Sequence, residues 1–98
     1  MKTFQLRRYE LKPENAREFV AWVKKEVFPR REALGFTIEW SYFDHQNSQL
    51  VWLAAANCDK AEFEDLSAAW EASEARDEAV RSMPDSLIKI NASFVEIA

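Results

Sequence analysis

Four short stretches of the chain follow the two-residue period of a β-strand, and they carry bulky apolar side chains on both faces that this period defines. In residues 3–11, Phe4 and Leu6 point one way while Gln5, Arg7, Tyr9 and Leu11 point the other. Phe36, Ile38, Trp40 and Tyr42 alternate with Thr37, Glu39, Ser41 and Phe43. Residues 50–56, LVWLAAA, form a nearly unbroken apolar run, the mark of a strand buried on both sides. The last stretch, 87–97, sets Ile88, Ile90, Ala92 and Phe94 against Lys89, Asn91, Ser93 and Val95. A sheet built from such strands needs cover on both of its faces.

The segments between the strands provide that cover for one face only. Pro13 and Glu14 suit the first turn of a helix, and Ala16, Phe19, Val20, Val23 and Val27 then recur at helical spacing. Pro29 is expected to end or kink that helix near Phe28, with a short turn after it through Ala33 and Leu34. Gly35, the one glycine in the chain, is placed to close the turn in a left-handed conformation. Residues 44–49 read as a polar hairpin loop. Asp59 with Glu62 has capping-box spacing and opens a second helix over residues 60–80, with Phe63, Leu66, Ala69, Trp70 and Ser73 on its inner side. The order is β-α-β-β-α-β, an α+β ferredoxin-like arrangement in a single domain, residues 1–98: a four-stranded antiparallel sheet with two helices on one face. A second copy of the same sheet is the simplest cover for the bare face, giving a barrel-like homodimer.

Charge and composition narrow the function classes. Thirteen basic residues are interleaved with seventeen acidic ones for a net charge of −4, with no basic stripe to meet phosphates, so nucleic acid is not an expected partner. Lys24-Lys25 and Arg30-Arg31 are read as a solvated helix face. With one glycine there is no phosphate cradle, and no Cys pair or Ser-His-Asp constellation stands out. Cys58 has no partner for an internal disulfide. No apolar leader opens the sequence and no run nears the ~18–20 residues of a membrane span, so a cytoplasmic protein with no membrane partner is expected. Four Trp, seven Phe and two Tyr are more bulk than a core of this size needs, which points to an interface or a pocket.

In order and spacing, the segments FQLRRYELKPENAREF, FPRREALGFTIEW, QLVWLAAANCDKAEF and SAAWEASEARDEAV resemble the NIPSNAP family of the dimeric α+β-barrel superfamily, over essentially the whole chain. Arg7-x-Tyr9 ahead of Lys12-Pro13 matches the family's opening strand, and Val51-Trp52-Leu53 its third, with Ala54 where the family carries a polar residue. The resemblance implies a ferredoxin-like protomer, homodimerisation through the sheet faces, and a cavity between sheet and helices. Members of the superfamily include cofactor-free monooxygenases, lactone isomerases, dehalogenases and haem-binding enzymes, so it implies no single activity.

Few residues could carry chemistry. His45 titrates near neutrality when unperturbed and could be a general base at a cavity mouth, or a solvated loop histidine. It has no second His or Cys at ligand spacing, so no metal site is expected. Arg7 and Tyr9 share a strand face and could hold a carboxylate or enolate; the plainer alternative is a core tyrosine beside an arginine paired with Glu39 or Glu96. Trp40, Tyr42 and Trp52 could wall an aromatic-ligand pocket, or serve core and interface. Trp22 and Trp70 are expected to seal the helix–sheet core, and Glu39 to pair with Arg7 or Arg8. Three functions fit: a homodimer that binds a small apolar or aromatic metabolite between sheet and helices without a cofactor; a cofactor-independent monooxygenase or isomerase in which Arg7 and Tyr9 hold an oxyanion and His45 moves a proton; and an interaction module using the acidic second helix.

Overall fold

A computed structural model describes residues 1–98. Strands β1 (Thr3–Leu11), β2 (Thr37–Asp44), β3 (Gln49–Ala56) and β4 (Leu87–Val95) form one antiparallel sheet in the order β2-β3-β1-β4. The expected β-α-β-β-α-β arrangement is what the chain adopts. Its thinnest dimension is 18 Å, the depth of one sheet and one helical layer.

Alternation along β1 and β3 decides which residues go under the helices. Tyr9, Leu11, Leu50, Trp52, Ala54 and Ala56 join one buried cluster with Phe19, Val23, Val27 and Phe28 from the first helical arm and Phe63 and Trp70 from the second. Trp52 is wholly buried there, with Phe28 at 5.0 Å and Tyr9 at 6.0 Å between ring centroids. Burying side chains of this size contributes about 1.5–3 kcal/mol each, the bulk of what orders so small a domain.

The first arm does not end at Phe28. A 3-10 turn at Pro13–Asn15 leads into α1 (Ala16–Trp22), a π-helical segment (Val23–Val27) and α2 (Phe28–Leu34). The π turn lets the Phe28 N–H donate to the Val23 carbonyl five residues back, and Pro29 falls in the first turn of α2, where its missing N–H costs little. Gly35 then adopts φ of +125°, which a side chain would resist, and reverses the chain into Phe36.

The second arm is broken where one helix was expected. α3 (Lys60–Glu71) starts from the Asp59–Glu62 capping box and stops at Ala72; α4 (Glu74–Val80) restarts from Ser73, whose hydroxyl accepts from the Arg76 N–H at 3.1 Å. Serine competes for backbone donors and favours such a cap over a helix interior.

In β2 the expected run of alternation is interrupted. The pairing with β3 shifts between Ile38 and Trp40, leaving Glu39 as a bulge. Phe36 and Ile38 therefore pack on the helix-covered core, while Trp40 and Tyr42 stand on the opposite face. Glu39 pairs with Lys2 at 3.1 Å and accepts from Thr37, not from Arg7 or Arg8. Its carboxyl is held below the usual range, first by the Lys2 hydrogen bond.

Candidate functional site

Between the sheet and the helical arms, at the break separating α3 from α4, lies a cavity of about 90 Å³. Its buried wall is Tyr9 from β1, Phe19 from α1, Arg31 from α2 and Trp70 from α3, with Arg7 of β1 half-buried beside Tyr9; Trp22, Met83, Ile90 and the Glu71–Arg76 pair stand at its mouth. Each position follows from local structure. Arg7 and Tyr9 are two apart on one strand and so share its inner face. Val23, Val27 and Arg31 recur at intervals of four, and because the helix runs on past Pro29 the third of them is carried inward.

Arg31 is 3% exposed, so the solvated face expected for Arg30-Arg31 holds for Arg30 alone, which pairs with Glu26 at 3.1 Å. The Arg31 guanidinium sits within 5.1 Å of the centroids of Phe36, Trp52 and Trp70. Cation–π attraction of this kind stabilises the charge, yet an aromatic face supplies no in-plane acceptor. Arg31 makes no ion pair, and its Nε is buried without a hydrogen-bond partner, as is Trp52 Nε1. Burial pulls the guanidinium down to about 10, with Arg7 and Arg76 adding to the fall and Tyr9 and Glu71 opposing it; it stays charged at neutral pH.

Arg7, half-buried, carries a second charge on the wall. Its Nε donates to the Tyr9 hydroxyl oxygen at 3.1 Å and its Nη1 to Gln5 Oε1 at 3.0 Å, and its guanidinium lies 5.4 Å from the Trp52 ring. It pairs with neither Glu39 nor Glu96, the carboxylates expected for it. Because the Tyr9 oxygen accepts from Arg7, its own proton is left to donate. The one carboxylate on the cavity wall, Glu71, is bound to Arg76 at 3.2 Å near solvent. The lining thus sums to two positive charges in an apolar setting, an arrangement suited to holding an oxyanion.

Of the residues singled out from the sequence, Arg7, Tyr9 and Trp52 come together. Trp40 and Tyr42 do not join them: their rings stack on each other at 5.1 Å on the far side of the sheet, because the bulge turns them away. His45 lies in the hairpin loop beyond β2, two strands from β1, edge-on to Phe43 at 4.7 Å in a separate depression bordered by Pro13, Glu14 and Arg17. Trp70 is buried as expected, while Trp22 is half-buried and donates to the Ala79 carbonyl at 2.9 Å. Neither Arg31, expected on a solvated face, nor Arg76 was among the residues expected at the site. The four-residue spacing from Val27 was the available signal for Arg31, masked by Pro29. The Cys58 thiol is pushed up by burial and then by the nearby Glu62 and Asp59 carboxylates, which disfavour a thiolate. No three metal-ligating side chains converge, and no helix is long and apolar enough to cross a membrane.

The sequence matches no family model and no curated protein. The fold has solved counterparts. A NIPSNAP-like domain protein from Burkholderia xenovorans superposes with a TM-score of 0.82 at 22% identity, covering 99% of this chain and 85% of the other. A NIPSNAP family protein from Agrobacterium tumefaciens gives 0.85 at 7% identity, covering 100% and 94%. A candidate antibiotic biosynthesis monooxygenase from Bacteroides thetaiotaomicron gives 0.69 at 15%, covering 98% and 89%. The chain has the fold of the NIPSNAP structures, as the resemblance implied, and at these identities the likeness concerns the fold.

Proposed function

We propose that the chain is a small-molecule-binding protein that works as a homodimer, each subunit holding its ligand between the sheet and the helical arms. The observation that carries this reading is the cavity itself: a helix–sheet layer this small closes around apolar side chains, yet here a hollow remains beside a buried charge. At about 90 Å³ it is smaller than the ~150 Å³ that encloses benzene, which favours a short apolar body over a whole aromatic ring. Homodimerisation is supported by the bare sheet face, where Trp40 is 36% and Tyr42 66% exposed among Phe4, Leu6, Val51 and Val95. A thermal-shift screen of small metabolites tests the ligand. Binding at tenfold the dissociation constant raises Tm by about 6 °C or more in a domain of this size. A broad metabolite set that leaves Tm unmoved removes the reading.

A second reading is a cofactor-independent monooxygenase or isomerase, favoured by the Arg7–Tyr9 hydrogen bond in the cavity and by the fold shared with a candidate monooxygenase. Arg7 and Tyr9 would stabilise an enolate-like oxyanion. The expected proton carrier, His45, stands apart from them, so this reading lacks its base. Proton exchange at the α-carbon of small carbonyl compounds, followed by NMR in heavy water, separates the two: catalysed exchange supports the enzyme, binding without exchange supports the binding protein.

A further inference from the structure

Arg31 is hard to explain as a structural residue. A guanidinium presents five N–H donors in one plane, and burying it without acceptors is strongly unfavourable unless an anion completes it. Three aromatic rings at 5.0–5.1 Å ease the charge but leave the buried Nε donor without an acceptor. Trp52, one of those rings, holds the second buried donor without an acceptor. The nearest carboxylate on the wall, Glu71, is taken by Arg76. Arg31 therefore stands as an unpartnered cation facing a cavity, with the Tyr9 proton and the Arg7 charge beside it.

Resting on the reading of this cavity as a ligand site, we propose that its ligand is a small monocarboxylate, bound carboxylate-first against Arg31 with a short apolar body directed to the mouth. A planar carboxylate matches the guanidinium fork with two parallel hydrogen bonds, and the Tyr9 hydroxyl is left to donate a third. The apolar body meets Trp22, Val80, Met83 and Ile90, which line the outer part. Inorganic phosphate would meet the charge and leave that apolar lining uncovered. The cavity volume of about 90 Å³ limits the ligand to a few carbon atoms.

The test is calorimetric titration of the full chain with sodium propionate, propionamide and inorganic phosphate, at ionic strength held constant with sodium chloride. Propionate is expected to bind in about the millimolar range, as so few atoms allow. Propionamide, of the same shape without the charge, is expected at least tenfold weaker, and phosphate weaker than propionate. Arg31→Met abolishes propionate binding while unfolding at the wild-type temperature or above it, and Arg31→Lys restores only part. Equal binding of acid and amide, tighter binding of phosphate, or an unchanged Arg31→Met variant overturns the proposal. Should propionate fail while uncharged metabolites from the thermal screen still bind, the carboxylate assignment falls and the ligand site stands. If nothing binds in either experiment, both fall together. The comparison of acid with amide needs no variant, so it decides the question even if Arg31→Met does not fold.

Discussion

Under the helices, β1 and β3 present Tyr9, Leu11, Leu50 and Trp52, and all four are buried; on the reverse face the same strands present Phe4, Leu6, Val51 and Leu53, β2 adds Trp40 and Tyr42, and no element lies above them. The covered face is closed except at one point, where a charge stands without an acceptor. The bare face has no charge problem among those six residues and lacks a lid. Leu53 is only 4% exposed, but its cover is its own neighbourhood of cross-strand side chains, Trp40 and Leu6. The two sides of one sheet are thus incomplete in different ways: one leaves a cation without an acceptor, the other leaves large apolar side chains without a cover. In the function proposed above, the first is a ligand site and the second a subunit interface.

Breaking the covered face should produce the largest effect. Trp52→Ala empties the centre of the cluster and is expected to lower stability by about 3–5 kcal/mol, a large part of the ~5–15 kcal/mol typical of a domain. Urea unfolding measures it, and a loss below about 1 kcal/mol would mean that the core is not organised around this ring. Breaking the bare face should leave the fold standing. The double change Trp40→Ser with Tyr42→Ser is expected to weaken self-association about 100-fold or more, since buried interface aromatics commonly contribute about 2 kcal/mol or more each. An unchanged sedimentation profile would remove these side chains from any interface.

The unpaired charge gives a change of opposite sign. Arg31→Met is expected to stabilise the unliganded protein by about 1–2 kcal/mol, because an apolar side chain suits the ring cage better than an unanswered cation. Linkage fixes the pH window. The folded-state value, about 10, lies below the ordinary guanidinium range, so the folded state disfavours the charged form; that cost is present in full below pH 10 and is relieved as pH climbs above it. The Tm advantage of the variant should stay flat through neutral pH and shrink above about pH 10. A disadvantage at neutral pH would show that Arg31 is a net stabiliser.

The smallest effect is the most pointed. Deleting Glu39 joins Ile38 to Trp40 with their partners Ala54 and Leu53 already adjacent, so the strand becomes regular and both faces keep their residues. The expected cost is under about 1 kcal/mol, chiefly the half-exposed pair with Lys2. Loss of several kcal/mol in thermal unfolding would mean that the faces depend on the bulge itself.

How much of this was legible depends on whether a pattern survived small insertions. Alternation in β1 was uninterrupted, so Arg7 and Tyr9 could be placed on one face from spacing alone, whereas Trp52, expected beside Trp40 and Tyr42, lies instead across from Arg7 of β1. In β2 the alternation of Phe36, Ile38, Trp40 and Tyr42 looked continuous, and one extra backbone residue sent its halves to opposite faces. The π turn is the same lesson in a helix: one added residue in the ladder let the chain pass Pro29, which turned Arg31 from a solvated side chain into the floor of the site. Ser73 looked like an inner helix residue and proved to be a cap, opening the cavity mouth between α3 and α4. Periods are visible in a sequence, whereas a single residue that shifts their phase leaves no periodic trace.

The division of labour between the faces is tested most directly by the mass of the wild-type chain in solution. Sedimentation equilibrium at low micromolar concentration should return a single species of twice the 11.4 kDa chain mass. A species of 11.4 kDa, stable across the same range, would contradict the account.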